Sequence, residues 1–172
     1  MKNWRYCSED SKTISLHDHH IREIRMEADR LVFLFAEGFD VERDNAMNVT
    51  GRHRQTGPSA VYLEGGRFLE GAFDRGTFEA VRGGDGIWHT IPVEEHPLDE
   101  KMFLSGLDLE VLSFTWFHED RRVCIEADQW ADLGPGTRTF CVISLLCGRL
   151  LFCWDELSAD AWFQRPAAAM TE

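Results

Sequence analysis

An antiparallel all-β domain is the fold class this chain predicts, and three observations carry it. Short β-leaning segments recur along most of the length, glycine-rich breaks separate them, and helical spacing of apolar residues is hard to find. A sandwich or a half-closed barrel fits, with at most one or two short helices; an α+β arrangement is the alternative. At 172 residues the chain reads as one domain spanning 1–172. A chain of that size buries about 70% of its unfolded surface. Residues 1–13 and 165–172 are expected to fray.

Taken in order, "HIREIRME" (20–27) alternates imperfectly, which predicts a strand with an irregularity near Arg22-Glu23. A turn at Ala28-Asp29-Arg30 leads to "LVFLFA" (31–36), apolar on both parities and so central in a sheet. "FDVE" (39–42) resumes alternation, and the product is a hairpin opening the domain. After a polar loop, 43–58, "AVYLEG" (60–65), "RFLEGAF" (67–73) and "TFEAVR" (77–82) are strands separated by glycines suited to hairpin turns. "IWHTIPVEE" (87–95) is a further strand that Pro92 places at an edge. "HPLDEKMFL" (96–104) is an irregular connection or one helical turn. A second hairpin joins 107–117 to 123–127, and after the loop 132–138 a third joins 139–146 to 149–154 around Cys147-Gly148. "SADAWF" (158–163) is read as a short helix capped by Ser158.

Eighteen basic against thirty acidic residues give a formal charge of −12. Such a chain repels phosphate backbones unless its cations gather on one face, and the most basic stretch, "GRHRQTG" (51–57), reads as a loop tip. The charge argues against nucleic acid and favours a basic protein partner. No stretch of eighteen apolar residues occurs, and Gly148-Arg149 interrupt the densest one, so no membrane span is predicted. The opening "MKNWRYCSED" lacks the apolar core of a signal peptide. Five cysteines with no C-x-x-C pair, four of them in apolar segments, predict buried reduced thiols and a cytoplasmic location.

The most concentrated polar cluster is His17-Asp18-His19-His20. On an extended chain His17 and His19 share a face roughly 6.5–7 Å apart, close enough to share a zinc or iron ion. A third ligand would have to come from His53, His89, His96 or His118, none placed by a motif. The preferred reading is structural: Asp18 accepts backbone N–H groups at the strand entrance, one histidine packs under the sheet and the others face water. No catalytic residue is assigned. Asp155 and Glu156 beside Trp154 read as the solvated end of a strand, and the glycines of "EGGRFLEG" (64–71) lack the lysine and helix of a phosphate loop. Trp88, Trp116, Trp130, Trp154 and Trp162 could line a ligand pocket, although in a domain this size tryptophans more often fill core.

The segment "LHDHHIREIRMEADRLVFLFAEGF" (16–39) resembles the opening of small bacterial β-rich proteins, some immunity proteins of polymorphic toxin systems among them. There an L/F-H-D triplet precedes a strand, a charged turn and a second apolar strand ending in glycine. The resemblance implies a non-enzymatic intracellular protein in which His17 and Asp18 shape the strand entrance. Three functions are thus in view: an acidic interaction module of immunity type, a metal binder or metalloenzyme using His17 and His19, and a small-molecule-binding β-domain.

Overall fold

A computed structural model describes residues 2–130 and 139–161. In chain order the strands are β1 (Tyr6–Ser8), β2 (Ile14–Ser15), β3 (His20–Ile21), β4 (Glu23–Glu27), β5 (Arg30–Phe35), β6 (Asp40–Val41), β7 (Arg54–Thr56), β8 (Ser59–Glu64) and β9 (Arg67–Phe73). They continue as β10 (Phe78–Arg82), β11 (Trp88–Pro92), β12 (His96–Pro97), β13 (Leu109–Phe117), β14 (Arg122–Gln129), β15 (Thr139–Leu146), β16 (Arg149–Trp154) and β17 (Leu157–Asp160). The one α-helix among the described residues, α1 (Glu100–Leu104), starts where the Asp99 carboxylate accepts the Met102 N–H.

A five-stranded sheet, β1-β16-β8-β5-β4, packs against a six-stranded one, β12-β9-β15-β14-β13-β3, and all pairings are antiparallel. Their inner faces form a single core. Phe33, Phe35, Leu63, Phe152 and Trp154 from the first sheet meet Leu109, Val123, Ile125, Ile143 and Leu145 from the second. Phe39 sits edge-on to Phe35, Phe152 and Trp154, with ring centroids 5.8–6.0 Å apart. A smaller sheet, β17-β7-β6-β2, adds Ile14 and Val41 to this core. The all-β expectation holds, as a sandwich and not as a closed barrel.

Three places where hairpins or a strand irregularity were expected turn out to be crossings between the sheets. At Arg22 the chain leaves β3, paired with β13, and enters β4, paired with β5. At Gly65-Gly66 it passes from β8 to β9, and at Cys147-Gly148 from β15 to β16. Both strands at each glycine crossing have apolar inner faces, and lying opposite each other in the core buries more apolar surface than lying side by side. A Cβ on Gly66 would lie 2.6 Å from the Leu63 carbonyl oxygen, so the crossing is too tight for any side chain. Backbone bonds tie these corners together: Gly65 N–H to Asp29 O at 2.8 Å, Gly148 N–H to Glu64 O at 2.8 Å and Cys147 N–H to Arg121 O at 2.7 Å.

Two further expectations are corrected. Residues 157–160 form β17 on the edge of the small sheet, so Ser158 caps no helix; the 132–138 loop, Trp162-Phe163 and the 165–172 tail lie outside the described residues. Near the N-terminus, 6–8 extend the first sheet as β1, with Cys7 opposite Cys153. These two cysteines are joined in a disulfide, not reduced as expected. Trp4 donates its indole N–H to the Tyr62 hydroxyl at 2.8 Å and packs on Val32, Tyr62 and Leu151 on the outer face of the same sheet.

The disulfide spans 146 positions, and closing so long a loop removes much of the unfolded chain's freedom. Cys7→Ser should therefore cost about 2–5 kcal/mol in chemical denaturation, and an unchanged midpoint would show that the bond contributes nothing. Ion pairs fasten the same segment. The Arg149 guanidinium holds the Glu9 carboxyl below the usual carboxylate range, and Lys2 together with the Arg5 N–H does the same for Asp155. Depressed folded-state values contribute above the ordinary carboxylate range and are lost as pH falls through them. In the reduced protein, hydrogen-exchange protection factors at residues 5–9, which are corrected for the intrinsic pH dependence of exchange, should fall on acidification before those of the core strands; an equal fall in both would refute the pairing.

Candidate functional site

The histidine cluster is built where β3 joins β13. Asp18 takes the left-handed conformation, φ 63°, which bends the chain out of the extended form that would align His17 with His19. The bend is pinned by the Asp18 N–H on Val111 O at 2.8 Å and the Val111 N–H on His19 O at 2.9 Å. Opposite it β13 carries a bulge between Val111 and Ser113.

The three imidazoles consequently point to three places. His17 is exposed; its Nδ1–H donates to Leu112 O at 2.8 Å and its Nε2 lies 3.4 Å from Asp18 Oδ1. His19 is buried, with Nε2 3.4 Å from the buried Asp40 Oδ2, and neither this nitrogen nor Asp40 Oδ1 has a hydrogen-bond partner among the described residues. His20 bonds Asp108 Oδ1 through Nδ1 at 2.8 Å and lies against Trp130, ring centroids 6.2 Å apart. Asp108 also binds Arg22, whose other nitrogen reaches Glu37 at 3.3 Å. This network sits at the Arg22 crossing and holds β3 against the chain entering β13.

His17 and His19 therefore do not converge. Among the described residues no three histidine, cysteine or acidic side chains gather as a metal would require. His89, on β11, faces Asp85, and His118 packs on Trp116 in the turn between β13 and β14; neither approaches His17. A shallow cavity of about 260 Å³ beside His17 is lined in part by Ser15, Glu42, Ser113 and Phe152. Both ring nitrogens of His17 are engaged beside it, Nδ1 donating to Leu112 O and Nε2 facing Asp18. Trp154 and Trp88 do not share a pocket either, since Trp154 is buried in the core and Trp88 is 67% exposed.

Sequence reasoning passed over a different feature. β10 and β11 form a separate two-stranded arm, paired from Phe78↔Pro92 to Arg82↔Trp88, and every residue of both strands is exposed. A three-residue loop with Gly86 at φ 79° closes its tip. Its base is held by the Val93 N–H on Thr77 O and by Arg75 on Glu95. The arm shows Phe78, Val81, Ile87, Trp88 and Ile91 to solvent, with Phe78 65% exposed. Apolar side chains concentrated on a projecting element mark a contact surface. The available signal was the presence of apolar residues on both parities of 78–82 and 87–92, a pattern that a strand with one buried face does not show.

No protein-family model, no curated protein and no solved structure matches the chain.

The free thiols follow the same division between core and surface. Burial pushes the Cys141 thiol up to about 12 and the Cys147 thiol up to about 11, whereas Cys124 is half-buried and lines a surface cavity of about 330 Å³. At mildly alkaline pH a thiol reagent should modify Cys124 alone in the native protein, reaching Cys141 and Cys147 on unfolding. Native labelling of all three would contradict the packing around β15.

Proposed function

We propose that this chain is a non-enzymatic, acidic protein-interaction module that engages its partner through the β10–β11 arm. The observation that carries the reading is the arm itself: two strands exposed along their whole length that bear Phe78, Trp88 and Ile91, with Ile87 just before β11. A lone two-stranded hairpin is at best marginal in water, so exposed aromatic residues on one are best explained by something that covers them. The net charge of −12 favours a basic partner, raising its association rate through the long-range field. The resemblance of residues 16–39 to the opening of immunity proteins supports an antidote-type role.

No helix among the described residues is long and apolar enough to cross a membrane. The cytoplasmic placement expected from sequence meets an opposing observation in the Cys7–Cys153 bond, because Cys7 is exposed and a reducing compartment opens accessible disulfides. Trapping free thiols at lysis of the native cell decides between them: five free thiols place the chain in a reducing compartment, and three place it in an oxidising one.

The function is tested by affinity purification at low salt, comparing wild type with a Phe78→Ser, Trp88→Ser double variant. A basic protein should accompany the wild type, be released by raised salt and be absent with the variant, whose melting temperature stays unchanged. Equal recovery by both would remove the arm from the interface.

A further inference from the structure

We infer that the arm's first occupant is a second copy of this chain, docked β10 edge to β10 edge about a two-fold axis at Ala80. The inference rests on the reading of the arm as a contact surface and names what contacts it.

Which edge is open follows from the hairpin's own bonds. Gly83 N–H bonds Ile87 O and Val93 N–H bonds Thr77 O, so these two pairs are hydrogen-bonded. Antiparallel pairs alternate, which makes 79/91 and 81/89 bonded too and turns the main-chain groups of 78, 80, 82, 88, 90 and 92 outward. On β11 the outward set includes Pro92, which has no N–H. On β10 it is Phe78, Ala80 and Arg82, each with a donor and an acceptor, and among the described residues β10 has no strand neighbour except β11. β10 carries neither proline nor bulge, two of the devices that block an edge; its charges, Glu79 and Arg82, are of opposite sign.

The strand is complementary to itself. A two-fold axis at Ala80 pairs Ala80 with Ala80, Phe78 with Arg82 of the second copy, and Glu79 with Val81 of the second copy. Every outward N–H of 78, 80 and 82 then meets an outward carbonyl. No like charges oppose each other, and Glu79 and Arg82 cancel along the seam. Trp88 lies across from Arg82 and Phe78 from Pro92 on the same face, so the joined sheet runs Trp88, Arg82, then Phe78 and Pro92 of the second copy. That row sets a guanidinium between two aromatic rings. The result is a four-stranded sheet, which has the strand number that a lone hairpin lacks, in a dimer of closed two-fold symmetry.

The bodies, each at −12, repel one another, whereas the seam is neutral. Salt screens the repulsion over a Debye length of about 8 Å at physiological strength, so raised salt should strengthen the dimer. A basic partner would respond in the opposite sense.

Sedimentation velocity of the full chain over a concentration series reaching the sub-millimolar range tests this. The wild type should show a monomer–dimer equilibrium that salt shifts toward dimer. Ala80→Pro removes an outward N–H without touching a bond inside the hairpin and should weaken association roughly tenfold or more; Thr90→Pro makes the same change on the other edge and should leave it intact. Should both proline variants disturb the arm, Ala80→Cys reads the register directly. Hydrogen-bonded cross-strand partners lie about 5.5 Å apart at Cα, within disulfide reach. Ala80→Cys should therefore cross-link under mild oxidation above the wild-type baseline, and Thr90→Cys should not. A monomeric wild type at every concentration and salt, or cross-linking no greater for Ala80→Cys than for Thr90→Cys, overturns the inference. If the chain is monomeric yet the Phe78→Ser, Trp88→Ser variant still loses a basic partner, the broader reading of the arm stands without it.

Discussion

The inner faces of the two large sheets can be covered only by each other, and this requirement organises the rest of the chain. Phe33, Phe35, Phe152 and Trp154 line one face, and Ile125, Ile143 and Leu145 the other. Strands adjacent in sequence are therefore drawn to opposite layers at Arg22, Gly65-Gly66 and Cys147-Gly148. Each crossing exposes backbone that must find partners, and the corner bonds among Asp29, Glu64, Arg121, Cys147 and Gly148 supply them. The histidine cluster belongs to the same logic: His20, Asp108 and Arg22 hold a crossing in place, which explains why so polar a stretch adjoins an apolar strand.

Much of this architecture was legible in residue pattern. The run LVFLF, apolar on both parities, marked β5 as interior, and the Ala28-Asp29 turn and the Gly83–Gly86 tip were visible as breaks. What period-two alternation cannot say is which partner a strand pairs with. A glycine pair after an apolar strand suits a hairpin and a layer crossing equally, so the pattern makes β8–β9 and β15–β16 neighbours although they lie in different sheets. Ser158 resembles a helix cap, and in β17 pairing with β7 overrides that local preference. The site was harder still. His17 and His19 share a parity, but one left-handed residue, Asp18, separates them, and no spacing rule anticipates a positive φ at a non-glycine position. β1 spans only three residues, too few to carry a periodic signal, which kept the partner of Cys153 hidden.

The division of labour that emerges is common to sandwiches. Side chains between the sheets are fully committed to packing, as the buried Cys141 and Cys147 illustrate, and recognition is left to elements that project from the layers. The β10–β11 arm is such an element, and its edge carries information as main-chain geometry as well as side-chain chemistry.

The bond between Cys7 and Cys153 also determines how the molecule would respond to being pulled. Tension applied through the chain before Cys7 and after Cys153 would run straight through the sulfur bridge and bypass both sheets. Almost the whole domain hangs as a slack loop off that load path, so in an oxidised molecule held by its two ends β17, which follows Cys153, would peel from β7 while the strands between the two cysteines stayed folded.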